Sequence, residues 1–310
     1  MRQYQGFTSI GGKNLSQIPQ ALFDNLGAFF NDRDIEIIEF MDHGNVDKTF
    51  NIDSLSNSFK ESEIQDAYKR GIISKCEDEK LSYINSPLTV TINIFATHML
   101  EKWNEIKKED RDAIADWHYE CFLDDKRAMG LEDMQKNKNQ VTPLNDTIEF
   151  VKNIDTPINL INCDCKVKFQ RCDYDKNVCI EFGGSPNSPM DRGWGELITK
   201  EKTIELLKKT EEMGLIHSIE AHAICNCCTC CCYPIRGSFA LDLVHTWPEH
   251  AYRVILNDDD CISCGVCIDR CQFDVFKEVD GDIKADTKKC WGCGICTNSC
   301  PVEALSLDKK

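Results

Sequence analysis

Residues 261–271 read CISCGVCIDRC, and residues 290–301 read CWGCGICTNSCP. Both stretches space their cysteines as C-x2-C-x2-C-x3-C, and the second run begins 29 residues after the first. Three thiols held two residues apart can reach three corners of one inorganic cluster, whereas the fourth points away from it. Glycines inside both runs let the backbone curl closely around such a cluster. This repeat predicts that residues 257–310 form a small domain built around two metal clusters.

The two runs resemble the bacterial two-cluster [4Fe–4S] ferredoxin module. In that family the fourth cysteine of each run binds the other cluster, which gives two crossed ligand sets. The resemblance implies that cluster 1 is held by Cys261, Cys264, Cys267 and Cys300, and cluster 2 by Cys290, Cys293, Cys296 and Cys271. The chain departs from the family pattern at one place. Cys300 is followed by Pro301, as expected, but Cys271 is followed by Gln272.

Ten further cysteines lie between residues 155 and 250, and their spacing is not that of a ferredoxin. Six of them crowd into residues 225–232, CNCCTCCC. A helix over this octapeptide would divide its thiols between two faces, three on each. The faces would be Cys225, Cys228 and Cys232 on one side, and Cys227, Cys230 and Cys231 on the other. All ten are candidate metal ligands: Cys163, Cys165, Cys172, Cys179, Cys225, Cys227, Cys228, Cys230, Cys231 and Cys232.

The number of these central thiols favours one or two additional iron–sulfur centres. Ten cysteines suffice for two more cubanes, or for one larger cluster. A structural zinc site is the alternative, but it would use only four of the ten. The C-x3-C-x2-C signature of radical S-adenosylmethionine enzymes cannot be placed on the octapeptide.

Basic residues beside the cysteines are expected to balance the negative charge of metal–thiolate groups. They are Lys166, Lys168, Arg171, Arg192 and Arg236. His217 follows an amphipathic helix predicted over residues 200–213. A histidine there is more often a core or capping residue than a ligand, and a role as ligand or proton donor is the alternative.

Residues 161–307 are similar to uncharacterised ferredoxin-domain proteins of anaerobic microbes. In those proteins a CxC segment, a GL[IV]H helix and a CNCC-type run precede the two-cluster module. The resemblance implies a distinct cysteine-rich domain, but it carries no assigned reaction.

The first 131 residues hold only two cysteines and are predicted to be helical, with a unit that resembles a winged helix. Helices are predicted after Asp34, over residues 53–59 and over residues 61–70, followed by a strand–turn–strand wing across residues 72–84. The predicted recognition helix, ESEIQDAYKR, carries more acidic than basic residues. Phosphate repulsion makes DNA binding the less favoured role, and protein docking or packing the favoured one.

The whole sequence therefore predicts an α+β protein with three parts and a linker. In chain order these are a winged-helix-like domain (1–131), the polar linker (132–146), a cysteine-rich α/β domain (147–256) and the ferredoxin-like domain (257–310). The N-terminus shows no signal peptide and no stretch is long and apolar enough for a membrane span, which favours the cytoplasm. The net charge of −16 argues against a general nucleic-acid binder. No phosphate-binding or dinucleotide fingerprint is present.

The favoured function is low-potential electron transfer, as a carrier or as a subunit of an anaerobic redox complex. Electrons would pass through the two C-terminal clusters to or from a central cysteine-ligated centre. One alternative is a reductase with a catalytic central cluster, and another is an iron–sulfur redox sensor that uses the winged helix. The expected partners are redox proteins, in a larger complex or a homodimer formed through the N-terminal domain.

Overall fold

The computed structural model describes residues 18–42, 49–76, 82–136, 139–244 and 246–310. The chain divides into two compact units. The N-terminal unit comprises Met1–Phe122 with two later segments, Val167–Phe169 and Gly184–Glu196. The C-terminal unit comprises Leu123–Lys166, Gln170–Gly183 and Leu197–Lys310. Helices and strands are mixed in the chain, in agreement with the predicted α+β class.

The N-terminal unit contains eight described helices and a small antiparallel sheet with strand order β1-β3-β2. Its elements are α1 (Gln20–Asp24), α2 (Leu26–Phe29), α3 (Asp32–Asp42), β1 (Phe50–Asn51), α4 (Ile52–Ser56), α5 (Glu61–Lys69), β2 (Ile73–Lys75), β3 (Ser82–Asn85), α6 (Leu88–His98), α7 (Leu100–Glu105) and α8 (Lys108–Ala128). Leu22, Ile37, Leu55, Ile64 and Trp103 are buried together in its core. Residues 77–81, most of the predicted turn of the wing, lie outside the described part of the chain.

Helix α3 begins earlier than the sequence predicted. Asn31 and Asp34 cap each other: the Asn31 N–H donates to Asp34 Oδ2 (2.8 Å), and the Asp34 N–H donates to Asn31 Oδ1 (2.9 Å). Asp34 therefore lies inside the first turn and is not the N-cap. This reciprocal pairing satisfies two N–H groups at the start of the helix, which otherwise have no intrahelical acceptor.

The C-terminal unit is built on a seven-stranded sheet with strand order β10-β4-β8-β9-β6-β5-β7. Its first elements in chain order are α9 (Leu131–Lys136), β4 (Gln140–Val141), α10 (Leu144–Lys152), β5 (Ile158–Ile161), α11 (Asp164–Phe169), β6 (Cys179–Phe182), β7 (Glu196–Ile198), α12 (Lys200–Glu212), β8 (Ile216–Ile219), β9 (Ala223–Cys227), α13 (Tyr233–Ala240) and β10 (Glu249–His250). The second half of α11 and the first residue of β7 belong to the N-terminal unit. Val151 of α10 and Leu207 of α12 pack on Ile180 and Ile224 of the sheet. The stretch predicted as a linker, residues 132–146, carries regular structure: most of α9, all of β4 and the start of α10 lie in it.

The last part of this unit is a compact arrangement of two short helices and two strand pairs. Its elements are β11 (Tyr252–Leu256), α14 (Val266–Arg270), β12 (Phe276–Val279), β13 (Asp282–Ala285), α15 (Ile295–Ser299) and β14 (Leu305–Lys309). Strand β11 pairs antiparallel with β14, which brings the two ends of the segment together, and β12 pairs with β13 as a hairpin. Within the described residues, no helix has the length and apolar character needed to cross a membrane.

Candidate metal centres

Each cysteine run of the C-terminal segment forms a loop that ends in a short helix. Helix α14 starts after Gly265 (φ +76°) and α15 starts after Gly294 (φ +82°). Both glycines adopt the left-handed conformation, which side-chain-bearing residues rarely enter. The two loops therefore fold back on themselves in the same way, as their repeated spacing predicts.

The four cysteines predicted to bind cluster 1 line one cavity. Cys261, Cys264 and Cys267 approach it from the first run, and Cys300 approaches it from the second. The rest of the lining is largely apolar and includes Leu256, Ile262, Val266, Ile283, Pro301, Val302, Ala304 and Leu305. The apolar character of the lining matters because the surroundings of a cluster help to set its reduction potential.

The four cysteines predicted to bind cluster 2 also lie near one another. Burial, together with the charge of the nearby Cys271 and Cys290, raises the pKa of Cys293 to about 12. The Sγ atom of Cys290 accepts two backbone hydrogen bonds, from Val254 N (3.2 Å) and Gly292 N (3.3 Å). Hydrogen bonds of this kind to a ligand sulfur are one way in which a protein tunes the potential of a bound cluster.

Trp291, which follows Cys290 in the second cysteine run, is almost completely buried. Its ring stacks on Phe273, with 4.7 Å between centroids and nearly parallel planes, and His250 stacks on it at 5.7 Å. The three stacked rings form a buried aromatic cluster next to Cys290.

This arrangement of loops, helices and cysteines has a recognised counterpart. Residues 260–305 match the family model of the 4Fe-4S dicluster domain. The match covers both cysteine runs and supports two [4Fe–4S] clusters in this domain. Neither a curated protein nor a solved structure matches the chain.

The ten central cysteines lie in the same unit as the dicluster domain, but the octapeptide that holds six of them is not helical. Cys225 and Cys227 belong to strand β9, residues 228–231 form a turn, and α13 begins at Tyr233. The prediction of two helical faces was therefore wrong. Strand β9 pairs with both β6 and β8, and this sheet pairing determines the backbone conformation of the first half.

The structure divides the ten thiols into a group of four and a group of six. The first, which we call the four-cysteine group, is Cys172, Cys228, Cys230 and Cys231. The Sγ atom of Cys172 lies 3.7 Å from those of Cys228 and Cys231, and Cys230 and Cys231 are 3.8 Å apart. All four Sγ atoms lie within 4.8 Å of one another.

The second, which we call the six-cysteine group, is Cys163, Cys165, Cys179, Cys225, Cys227 and Cys232. Hydrogen bonds between thiols join its members in a chain, and the Sγ atoms of Cys227 and Cys232 are 3.2 Å apart. Hydrogen bonding to Cys165, together with burial, holds the pKa of Cys163 well above its usual value. A metal bound here must displace these protons. None of the chain's 20 cysteines, all in described positions, forms a disulfide.

Lys166 is the predicted cation that lies among the central sulfur atoms. Its side chain is buried, and Nζ lies 4.0 Å from Cys163 Sγ while donating to the Asn226 carbonyl oxygen. Lys168 and Arg192 belong to the N-terminal unit and have other partners there. Lys168 donates to Asn93 Oδ1 (3.1 Å), and Arg192 donates to the carbonyls of Tyr68 and Ile73.

His217 belongs to a buried polar network, in which its ring nitrogens face oxygen atoms. Its Nδ1 lies 2.7 Å from Asn226 Oδ1, and its Nε2 lies 3.1 Å from Glu211 Oε2. Asn226 donates its amide hydrogen to the Val178 carbonyl, so Oδ1 is an acceptor and His217 Nδ1 must carry a hydrogen. The network joins β8, β9 and α12 beneath the cysteines.

Gln272, where the ferredoxin pattern has proline, connects the dicluster domain to the four-cysteine group. Its Oε1 accepts hydrogen bonds from Thr229 N (2.9 Å) and Thr229 Oγ1 (3.3 Å), and its Nε2 donates to the Gly214 carbonyl. Thr229 lies between Cys228 and Cys230 in the turn. Arg270 adds two bonds to the carbonyls of Glu211 and Glu212, at the end of α12. The sequence shows glutamine in place of proline at position 272, but it does not indicate that Gln272 bonds to Thr229.

Proposed function

We propose that this protein transfers low-potential electrons between its dicluster domain and a central cysteine-ligated centre. The dicluster domain accounts for two [4Fe–4S] clusters, which are one-electron carriers at the negative end of the biological range. In such proteins the chemistry belongs to the cofactor, and the chain supplies spacing, exclusion of water and tuning.

The crossed ligand sets are part of this proposal. Cluster 1 would be held by Cys261, Cys264, Cys267 and Cys300, and the cavity that these residues line supports the assignment. Cluster 2 would be held by Cys290, Cys293, Cys296 and Cys271. The influence of Cys271 on the pKa of Cys293 supports placing the crossed ligand beside the second run.

The observation that carries the proposal is the short link between the two sets of thiols. Cys271, a ligand of cluster 2, is followed at once by Gln272, which binds the Thr229 backbone at 2.9 Å. Thr229 is covalently connected to central cysteines on both sides. Cys227 and Cys232 of the six-cysteine group lie two residues before and three residues after Thr229. The hydrogen bond from Thr229 to Gln272 therefore also brings the dicluster domain close to the six-cysteine group, an arrangement suited to electron exchange.

The experiment is a redox titration of anaerobically prepared protein, followed by electron paramagnetic resonance. We expect one electron to enter each cluster of the dicluster domain at negative potential, and additional electrons to enter the central centre. Cys76→Ser, a substitution in the N-terminal unit, is the matched control and should leave the titration unchanged. Uptake of two electrons or fewer per chain would rule out a redox-active central centre. A spectrum that shifts on addition of small ligands would instead support the reductase alternative.

We propose that residues 31–85 form a winged helix that docks a protein partner and not DNA. The order helix, strand, helix, helix, strand, strand and the sheet order β1-β3-β2 support the winged-helix assignment. Two arginines beside α5, Arg33 and Arg70, are paired with carboxylates, which supports protein docking. Arg33 binds Glu63 at 3.0 Å, and Arg70 binds both Asp34 and Asp66.

A gel-shift assay against its own upstream DNA tests this second proposal. We expect no shift at low ionic strength, where phosphate attraction is strongest. A specific, salt-sensitive complex would contradict it and would favour the redox-sensor alternative. The docking partner is proposed to be a redox protein of the cytoplasm, a larger complex or a second copy of the chain.

A further inference from the structure

The spacing of sulfur atoms distinguishes the kinds of metal site a group of cysteines can hold. A single zinc ion binds thiolates at about 2.3 Å, so the corners of its tetrahedron lie about 3.8 Å apart. The ligands of a cubane bind four different iron atoms at separate corners, so their sulfur atoms lie much farther apart.

The sulfur atoms of the four-cysteine group are spaced like the ligands of a single tetrahedral zinc ion. The recorded Sγ separations are 3.7, 3.7 and 3.8 Å, and no pair of the four exceeds 4.8 Å. A [4Fe–4S] core does not fit between sulfur atoms this close. The space at the centre of the four accepts one ion.

The dicluster cysteines serve as an internal comparison. All eight lie in described positions, yet no three of them have sulfur atoms that are all within 4.8 Å of one another. The same chain therefore holds its cluster-binding thiols wide apart and these four close together. The difference follows from backbone position: Cys172 approaches from a separate segment, and the turn supplies the other three.

We propose that Cys172, Cys228, Cys230 and Cys231 bind one tetrahedral metal ion, with Zn²⁺ favoured, and not an iron–sulfur cluster. Four thiolates with no open position are typical of a structural zinc site. Thiolate sites also bind Zn²⁺ more tightly than Fe²⁺. The proposal refines the electron-transfer function without depending on it, since it assigns the central redox centre to the six-cysteine group.

The position of this ion explains what it would stabilise. It joins Cys172, in the loop before β6, to the turn at residues 228–231, to which Gln272 attaches the dicluster domain. The ion would fix the turn between the two redox regions.

The experiment compares zinc, iron and acid-labile sulfide in anaerobic wild-type protein and in the double variant Cys228→Ser/Cys231→Ser, with Cys76→Ser as control. We expect the double variant to lose about one metal ion per chain, and to keep its iron–sulfur content. Loss of a single iron without sulfide would equally support a one-ion site. Loss of several irons together with sulfide, or no loss of metal, would overturn the proposal.

X-ray absorption at the zinc edge of the wild-type protein keeps the proposal testable if the double variant does not fold. We expect a shell of four sulfur atoms at about 2.3 Å. Nitrogen or oxygen ligands in that shell, or protein that contains iron and sulfide but no zinc, would contradict it. The redox titration described above tests electron transfer separately, because Zn²⁺ does not change its oxidation state.

Discussion

The side chain of Gln272 makes three hydrogen bonds, two with Thr229 and one with Gly214. Replacing it with leucine removes three hydrogen bonds and leaves the partly buried Thr229 N–H without its acceptor. An unpaired polar group of this kind costs about 1–3 kcal/mol, so we expect the free energy of unfolding to fall by that amount. Chemical denaturation of Gln272→Leu and wild-type protein measures the difference.

Two controls sharpen this prediction. Thr229→Val removes only the hydroxyl contact at 3.3 Å and should cost less than Gln272→Leu. Gln272→Pro restores the family residue, so both clusters of the dicluster domain should still assemble, with unchanged iron content. If Gln272→Leu unfolds with wild-type stability, the contact with the turn contributes nothing.

Two half-buried histidines of the N-terminal unit, His98 and His118, predict acid sensitivity. Burial lowers the pKa of His98 from 6.5 to about 4, and burial together with Lys168 holds the pKa of His118 well below its usual value. The unfolded chain takes up protons first as pH falls below about 6.5, so stability is lost from there down to the folded pKa values. Thermal unfolding between pH 7 and pH 4 should show a smaller loss for His98→Phe. Identical pH profiles for the two proteins would disprove the contribution of His98.

Cysteines close in sequence could be grouped from the sequence, and cysteines brought together by folding could not. The spacing of the tail cysteines defines two loops by local geometry alone. Cys172 and Cys228, by contrast, lie close together although they are 56 positions apart in the sequence. Nothing in the spacing of the octapeptide indicates that Cys227 and Cys228, neighbours in sequence, belong to different groups.

At the scale of elements, the loop of the second cysteine run packs closely at Gly292 against the backbone of strand β11. Gly292 has φ +64°, and a Cβ atom there would overlap the carbonyl oxygen of Tyr252 in β11. We expect Gly292→Ala to displace β11 or the loop and to lower the iron content of the dicluster domain. Iron and sulfide analysis after anaerobic purification measures the effect.

Gly265→Ala is the matched control for this substitution. Gly265 also has a positive φ (+76°), but the space around its hypothetical Cβ is open. This variant bears only the conformational cost of the left-handed backbone, about 1–2 kcal/mol, and should retain both clusters. Equal loss of iron from the two variants would show that backbone conformation, and not the contact with Tyr252, is responsible.

Secondary structure was predicted correctly where the hydrophobic periodicity is strong. It was not predicted where pairing with neighbouring strands determines the backbone conformation. Helix α12, predicted over residues 200–213, is present over Lys200–Glu212. The octapeptide has no period of its own, and its first half is a strand because β6 and β8 offer it hydrogen-bonding partners. Strand β4, two residues within a polar stretch, is likewise defined by its neighbours β8 and β10.

At the scale of the whole molecule, composition set useful limits but did not identify partners. The net charge of −16 and the carboxylate-paired basic residues around α5 both argue against nucleic acid. An acidic surface favours a basic docking patch on a redox partner. We therefore expect electron exchange with such a partner to slow as salt is raised, which stopped-flow absorption at increasing ionic strength measures. A rate that does not change with salt would contradict charge-guided docking.

The central claim is that sulfur atoms in the C-terminal unit hold iron–sulfur clusters through which electrons move. Mössbauer spectroscopy of anaerobically prepared, iron-57-labelled protein tests it most directly. The account predicts [4Fe–4S] signals for about eight irons per chain from the dicluster domain, with any further iron assigned to the six-cysteine group. Protein free of iron, with its thiols cross-linked or holding only zinc, would contradict the account.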